Sequence, residues 1–186
     1  MRRLVKEGRA HPRVQQRARQ IVSASPGLHP VEACYRYVQA LPYRRDEQLA
    51  AQAGLDPDTS EILQGAPYQI EIADRYGPSS VVGDCDCRSI LLQSLLESLG
   101  YRTSFVLVKG PGRQDYSHVY TEVAIEGGRK VPLDTIFDGL GGREKFKPGD
   151  EVKGARERKT VPVDGKSWLG AAALFGLLWL AFGGRR

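Results

Sequence analysis

The chain has 186 residues, of which 41% are hydrophobic and 26% charged, with a formal net charge of +5. Those values fit one ordinary domain with extensions and exclude a disordered chain, so a core able to seat a water-excluding site is expected. Three cysteines, Cys34, Cys85 and Cys87, exclude a disulfide scaffold and leave at least one free thiol; with no charged-then-apolar leader at the start, synthesis in a reducing cytosol is the expectation.

The first twenty residues carry Arg2, Arg3, Lys6, Arg9, Arg13, Arg17 and Arg19 against the single acid Glu7. Such a run reads first as a solvated helix face, and no aromatic residues interleave with it as single-strand binding requires, so nucleic acid is not an expected partner. Val14, Ala18, Ile21 and Val22 share one face of a helix. Pro30 opens the next, with Val31, Cys34, Tyr35 and Val38 at helical spacing before Pro42 ends it, which makes Cys34 a core residue. His11 and His29 each precede a proline at a helix start. Residues 43–80, broken by Pro57, Pro67, Gly77 and Pro78, predict a long irregular excursion with a short helix near Gln48–Ala53, of the kind that borders a site.

The strongest pattern lies at 89–99, where Ile90, Leu91, Leu92, Leu95, Leu96 and Leu99 make a wide apolar stripe and Gly100 stands ready as a C-terminal cap. Gly83-Asp84-Cys85-Asp86-Cys87 precedes it, so the cysteines fall at a helix N-terminus, where unpaired N–H groups and the helix dipole favour a thiolate. Phe105–Val108, His118–Ile125 and Lys130–Ile136 read as antiparallel strands, the last two joined through Glu126–Arg129 as a hairpin. Alternation places His118, Tyr120, Glu122 and Ala124 on one face and Val119, Thr121, Val123 and Ile125 on the other.

Residues 138–166 mix glycine, proline and charge without apolar periodicity and read as a linker or an arm lying over another protein. From Ser167 to Gly184 there is no charge. The fifteen residues Trp168–Phe182 would span roughly 22 Å as a helix, short of the ~30 Å hydrocarbon core without help from flanking residues or bilayer thinning. A membrane anchor is favoured over a partner-covered helix, with Lys166 and Arg185-Arg186 at its ends and Ala172 and Gly176 allowing self-association into a homo-oligomer.

A thiol enzyme needs a thiolate, an imidazole to hold and return its proton, and a group that fixes the ring's tautomer. Cys85, His118 and Asp134 supply these in chain order, with Cys85 as nucleophile, His118 as base and Asp134 as its orienter. A zinc or redox site built from Cys85, Cys87, Cys34 and His118 is the weaker alternative, because Cys-x-Cys departs from the usual ligand spacing. No metal and no cofactor is expected, and Asp84 and Asp86 read as first-turn helix acids.

The Gly83-Asp84-Cys85-Asp86 run opening a Leu-rich helix, with the Ser117-His118-Val119-Tyr120 and Val131-Pro132-Leu133-Asp134 blocks, resembles the transglutaminase-like superfamily. The likeness is to its small bacteriophage and prophage members and covers roughly residues 14–137. It implies an α+β, papain-like core over residues 1–137 in which Cys85, His118 and Asp134 are catalytic. Cys87 departs from the family pattern, which commonly has a second Asp there. The expected function is a thiol hydrolase or acyl transferase on amide or isopeptide bonds. Its substrate would be a peptide or protein, at the cell envelope, such as peptidoglycan peptide, or among virion proteins, and its location the virion, host cytoplasm or inner membrane. The alternative is an inactive structural virion component, in the tail, portal or internal membrane, on the same fold.

Overall fold

The fold is arranged around one helix that is buried on every side. The computed structural model describes residues 1–58, 61–109, 114–136 and 157–164. Among these residues, six α-helices precede a four-stranded antiparallel sheet, giving an α+β architecture. The helices are α1 (Arg2–Ala10), α2 (Pro12–Ser23), α3 (Pro30–Gln39), α4 (Asp46–Gln52), α5 (Ala66–Tyr76) and α6 (Cys85–Ser98). The strands are β1 (Arg102–Lys109), β2 (His118–Ala124), β3 (Lys130–Leu133) and β4 (Glu157–Pro162), in the spatial order β3-β2-β1-β4.

Every residue of α6 from Asp86 to Leu96 is buried. Leu91, Leu92, Leu95 and Leu96 meet Val14, Ala18 and Ile21 of α2, Val38 of α3, Ile70 of α5 and Val123, Val131 and Leu133 of the sheet in one core cluster. Ile90 turns the other way, towards Val5, Phe105, Val119 and Val163. Full burial of each such side chain stabilises by about 1.5–3 kcal/mol, so α6 makes a large apolar contribution among the described residues. Its polar residues find partners: Ser94 Oγ donates to the Ile90 carbonyl at 2.7 Å and Gln93 Nε2 to the Ser104 carbonyl at 3.3 Å. The helix ends as the sequence predicts, with Gly100 at φ 90° and the N–H groups of Gly100 and Tyr101 returned to the carbonyls of Glu97 and Leu96 at 3.0 and 3.1 Å.

The strand expectations hold in their essentials. β1 and β2 pair antiparallel from Arg102↔Ala124 to Val108↔His118, and β2 and β3 from Ala124↔Lys130 to Thr121↔Leu133. The β2–β3 turn closes through Gly127 and Gly128, both with φ near 75°, a backbone that other residues adopt only with strain. Val119 and Val123 face the helices while Tyr120 packs with Val106 and Val108 in a separate cluster, so both faces of the sheet are covered.

Three segments differ from the sequence reading. Residues 66–76, assigned to an irregular excursion, form α5: Pro67 occupies the first turn, where a proline needs no N–H partner, and Ala66, Gln69, Ile70 and Ala73 supply the buried face. The basic start forms its own helix α1, whose arginines are paired rather than simply solvated. Arg9 donates to Glu97 at 2.9 Å and to Asp164 at 2.8 Å, and Arg2 Nε donates to the Val163 carbonyl at 3.1 Å. Finally, the segment read as a linker, 138–166, contributes β4, which pairs with β1 from Ser104↔Pro162 to Lys109↔Glu157. Its apolar content is slight, so the sheet edge and the α1 arginines hold it where periodicity gave no signal. The apolar stretch 167–184 lies outside the described residues, as does 137–156; among the described residues no helix is long and apolar enough to cross a membrane.

The contact of α1 with α6 depends on Gly8, where an added Cβ would stand 2.4 Å from Ser94 Oγ and 2.8 Å from Ser94 Cβ. Alanine is the better helix former by about 1 kcal/mol, but overpacking a tight contact costs about 1–3 kcal/mol. Because the Ser94 hydroxyl is also committed to Ile90, the clash should win. Gly8→Ala is expected to lower stability by about 1–2 kcal/mol in urea denaturation.

Candidate active site

Cys85 is the first residue of α6 and is partly exposed, whereas Cys34 and Cys87 are buried. The helix start is fixed by its N-cap, Asp84, whose carboxylate accepts the Cys87 N–H at 3.5 Å, and by the close approach of Gly83. A Cβ on Gly83 would lie 2.7 Å from Cys87 Cβ, so glycine is the residue that lets the incoming chain cross the first turn. The Gly83 carbonyl also accepts the Arg44 N–H at 3.2 Å, beside a parallel bridge between Gly83 and Tyr43.

His118 opens β2 and Asp134 directly follows β3, and the two side chains meet, Nε2 to Oδ2, at 2.6 Å. Continuing the register Thr121↔Leu133 by one residue puts Asp134 opposite Tyr120 and diagonal to His118 on the same face. With Nε2 engaged by the carboxylate, Nδ1 is the ring nitrogen left for the thiol, and Cys85 stands near enough to His118 to influence its titration. Burial alone would lower the His118 pKa, but hydrogen bonding to Asp134, the nearby Cys85 side chain and the charges of both outweigh it and raise it to about 10. The ring is therefore held as imidazolium at neutral pH.

The Asp134 loop is tied from three sides. Asp134 Oδ1 accepts the Ile136 N–H at 3.0 Å, and the Asp134 carbonyl accepts the Tyr35 hydroxyl of α3 at 2.7 Å. The buried Arg88 guanidinium, one turn into α6, donates to the Thr135 carbonyl at 3.0 Å and to the Leu41 carbonyl, with its face over the Tyr43 ring at 5.4 Å to the centroid. The helix that carries the thiol thus also anchors the loop that carries the acid. Arg88 and Tyr35 are positioning residues; the sequence pattern placed Tyr35 on the apolar face of its helix and did not single out Arg88. The signal for Arg88 was its place in line with Leu91 and Leu95, where an arginine facing a core must find buried acceptors.

The other two thiols have structural environments. Cys34 is fully buried on α3 and burial pushes its thiol up to about 12. Cys87 Sγ donates to the Ile62 carbonyl at 3.0 Å and accepts the Gln64 N–H at 3.3 Å, and burial followed by the neighbouring Asp86 charge raises its pKa. Asp86, expected as an ordinary first-turn acid, is buried, and its carboxyl is pushed well above the usual carboxylate range first by burial and then by hydrogen bonding with Asp84 and Glu61. The side-chain ligand atoms of Asp84, Asp86 and Cys87 lie within 4.8 Å of one another. In Asp86 and Cys87, however, the proton is held more firmly than usual, which opposes metal binding. Cys34 and His118 are not part of this group, so the four-residue zinc arrangement is not formed.

No family model matches the sequence, and no curated protein sequence matches it.

Two outcomes are expected. In Arg88→Leu the Leu41 and Thr135 carbonyls lose a buried donor, at about 1–3 kcal/mol for each carbonyl left without one, measured by urea denaturation. For His118, a folded pKa near 10 lies above the unfolded value of 6.5, so the pair's contribution to stability is fully present below about pH 6.5 and is lost as pH rises towards 10. The stability gap between wild type and Asp134→Asn should narrow over that window. Nitrogen-15 NMR should find the ring doubly protonated at pH 8; an ordinary titration near pH 6.5 would mean the pair does not form.

Proposed function

We propose that the protein is a thiol hydrolase or acyl transferase of the transglutaminase-like, papain-like kind. The reading rests on one observation: a partly exposed cysteine at the N-terminus of a buried helix, beside a histidine that a carboxylate holds at 2.6 Å. The α+β order, with the cysteine helix before the histidine and aspartate strands, supports a papain-like core, and the Gly83-Asp84-Cys85-Asp86 run supports the family.

In this reading the Cys85 thiolate attacks the carbonyl carbon of an amide or isopeptide bond, and the carbonyl electrons move onto its oxygen. The Cys87 N–H is taken by the Asp84 and Asp86 carboxylates, so the N–H groups of Cys85 and Asp86, which by position have no intrahelical partner, are the first-turn donors for that oxyanion. Collapse of the tetrahedral intermediate breaks the C–N bond as His118 delivers its proton to the leaving nitrogen, leaving a thioester on Cys85. Neutral His118 then takes a proton from water or from an acceptor amine, which attacks the thioester and releases the acid or the new amide. Asp134 and, through its loop, Arg88 and Tyr35 hold the ring in place throughout.

The substrate proposed is a peptide or protein of phage or cell-envelope origin, with virion proteins as further partners and residues 167–184 as a membrane or partner contact. The second reading is a structural virion component that keeps this fold without turnover. The two separate on Cys85. Iodoacetamide at pH 6 is expected to alkylate Cys85 about ten-fold faster in wild type than in His118→Ala, since in this reading His118 takes the proton of the thiol, with Cys34 and Cys87 inert in both. Peptide mass spectrometry gives the site-resolved rates. Equal rates would remove the enzyme reading, and unchanged particle assembly in Cys85→Ala would then favour the structural one.

A further inference from the structure

Beside Cys85 lies an open cleft of about 530 Å³ whose lining departs sharply from the chain's overall charge. The protein carries a net +5, yet the cleft gathers Asp46, Glu47, Asp58, Glu61 and Asp84 against one basic residue, Arg45.

Acids crowded on a surface do not by themselves make a site, and Asp46 supplies the second observation. It opens α4, is 7% exposed, and lines the cleft. Its Oδ2 accepts the Ile62 N–H at 2.7 Å, whereas its Oδ1 is buried with no hydrogen-bond partner. A buried carboxylate oxygen left without a donor is costly and calls for an explanation. Its carboxyl is also pushed above the usual range, first by burial and then by the charges of Asp84, Glu61 and Glu47. A cation entering the cleft would relieve that crowding.

We propose that this cleft is a recognition subsite for a positively charged group, the side chain of a lysine-like or arginine-like residue of a peptide, seated next to the amide that reaches Cys85. The proposal rests on the thiol chemistry proposed above for its place in catalysis, but not for the charge of the cleft. Tyr43 borders the cleft with 42% of its surface exposed, offering an aromatic wall for the alkyl stem or the cation itself. Repulsion between the basic chain and a basic peptide is offset locally, because a cleft lined by one sign of charge focuses its field. Neutral or acidic residues at the same position would leave the acids unpaired and be rejected.

The test uses Cys85 as a reporter of local potential in the full chain. Methanethiosulfonate reagents of similar size, one bearing a trimethylammonium and one a sulfonate, are compared at Cys85 by peptide mass spectrometry, with glutathione as the reference thiol. The cationic reagent is expected to be favoured by about ten-fold over that reference ratio at low ionic strength, with the preference falling at 0.5 M salt, an explicit reagent condition of roughly 4 Å screening. Glu47→Gln with Asp58→Asn, both exposed positions, should reduce the preference in the same direction. A lysine-containing dipeptide amide should protect Cys85 from a neutral alkylating reagent where its leucine and glutamate counterparts do not.

The charge ratio is read in His118→Ala as well, so loss of the His118 dependence removes the thiol-enzyme reading without touching the cleft. A ratio equal to that of glutathione, or favouring the sulfonate, overturns the cation subsite. Protection by millimolar calcium with none by the lysine peptide also overturns it, assigning the acids to a divalent metal.

Discussion

A helix buried on all sides from Asp86 to Leu96 approaches solvent only at its ends, and at the N-terminal end of α6 stands Cys85. Because no face of residues 86–96 reaches solvent, every neighbouring element is placed by what it must cover: α2, α3 and α5 on one side, the sheet on another, and α1 over Ser94. Its polar side chains are then obliged to bond to those neighbours, since buried donors and acceptors left alone are costly. Ser89, Gln93 and Arg88 reach carbonyls of β2, β1 and the Asp134 loop respectively. The burial that stabilises the helix therefore also fixes its N-terminus against the two strand ends that bear His118 and Asp134.

The three cysteines illustrate how position alone separates their chemistry. Two residues apart in sequence, Cys85 and Cys87 differ because one stands at the open start of the helix and the other points into the packed loop of Ile62 and Gln64. As a buried thiol Cys87 satisfies a backbone carbonyl and an N–H without bringing a further charge next to Asp84 and Asp86. That suits a helix start where acids already crowd one another.

Much of this was legible in the sequence. The stripe from Ile90 to Leu99, the glycine after it, the alternation around His118 and the hairpin to Asp134 are local signals of period and turn chemistry, and each corresponds to an observed element. What was not legible depends on tertiary context. α5 hid behind Pro67, which reads as a breaker unless its position in the first turn is known. β4 carries too few apolar residues to announce a strand and is held by pairing to β1 and by contacts from Arg2 and Arg9 near its end. The acids of the cleft come from the stretch 46–61 and from Asp84, apart in the chain and adjacent only after folding. The acceptors of the Arg88 guanidinium, the Leu41 and Thr135 carbonyls, are each 47 residues away and meet it only after folding.

The β2–β3 hairpin closes with two residues in left-handed backbone, Gly127 and Gly128, at the end of β2 opposite to His118. The seven residues of β2 carry that turn roughly 20 Å from the imidazole. A strand shifted by a single residue presents its other face, so a slip there would exchange Asp134 for Leu133 or Thr135 beside the ring. The turn thus acts as a remote gauge for the His118–Asp134 pair: two glycines with no side chain to offer decide whether the histidine meets a carboxylate at all.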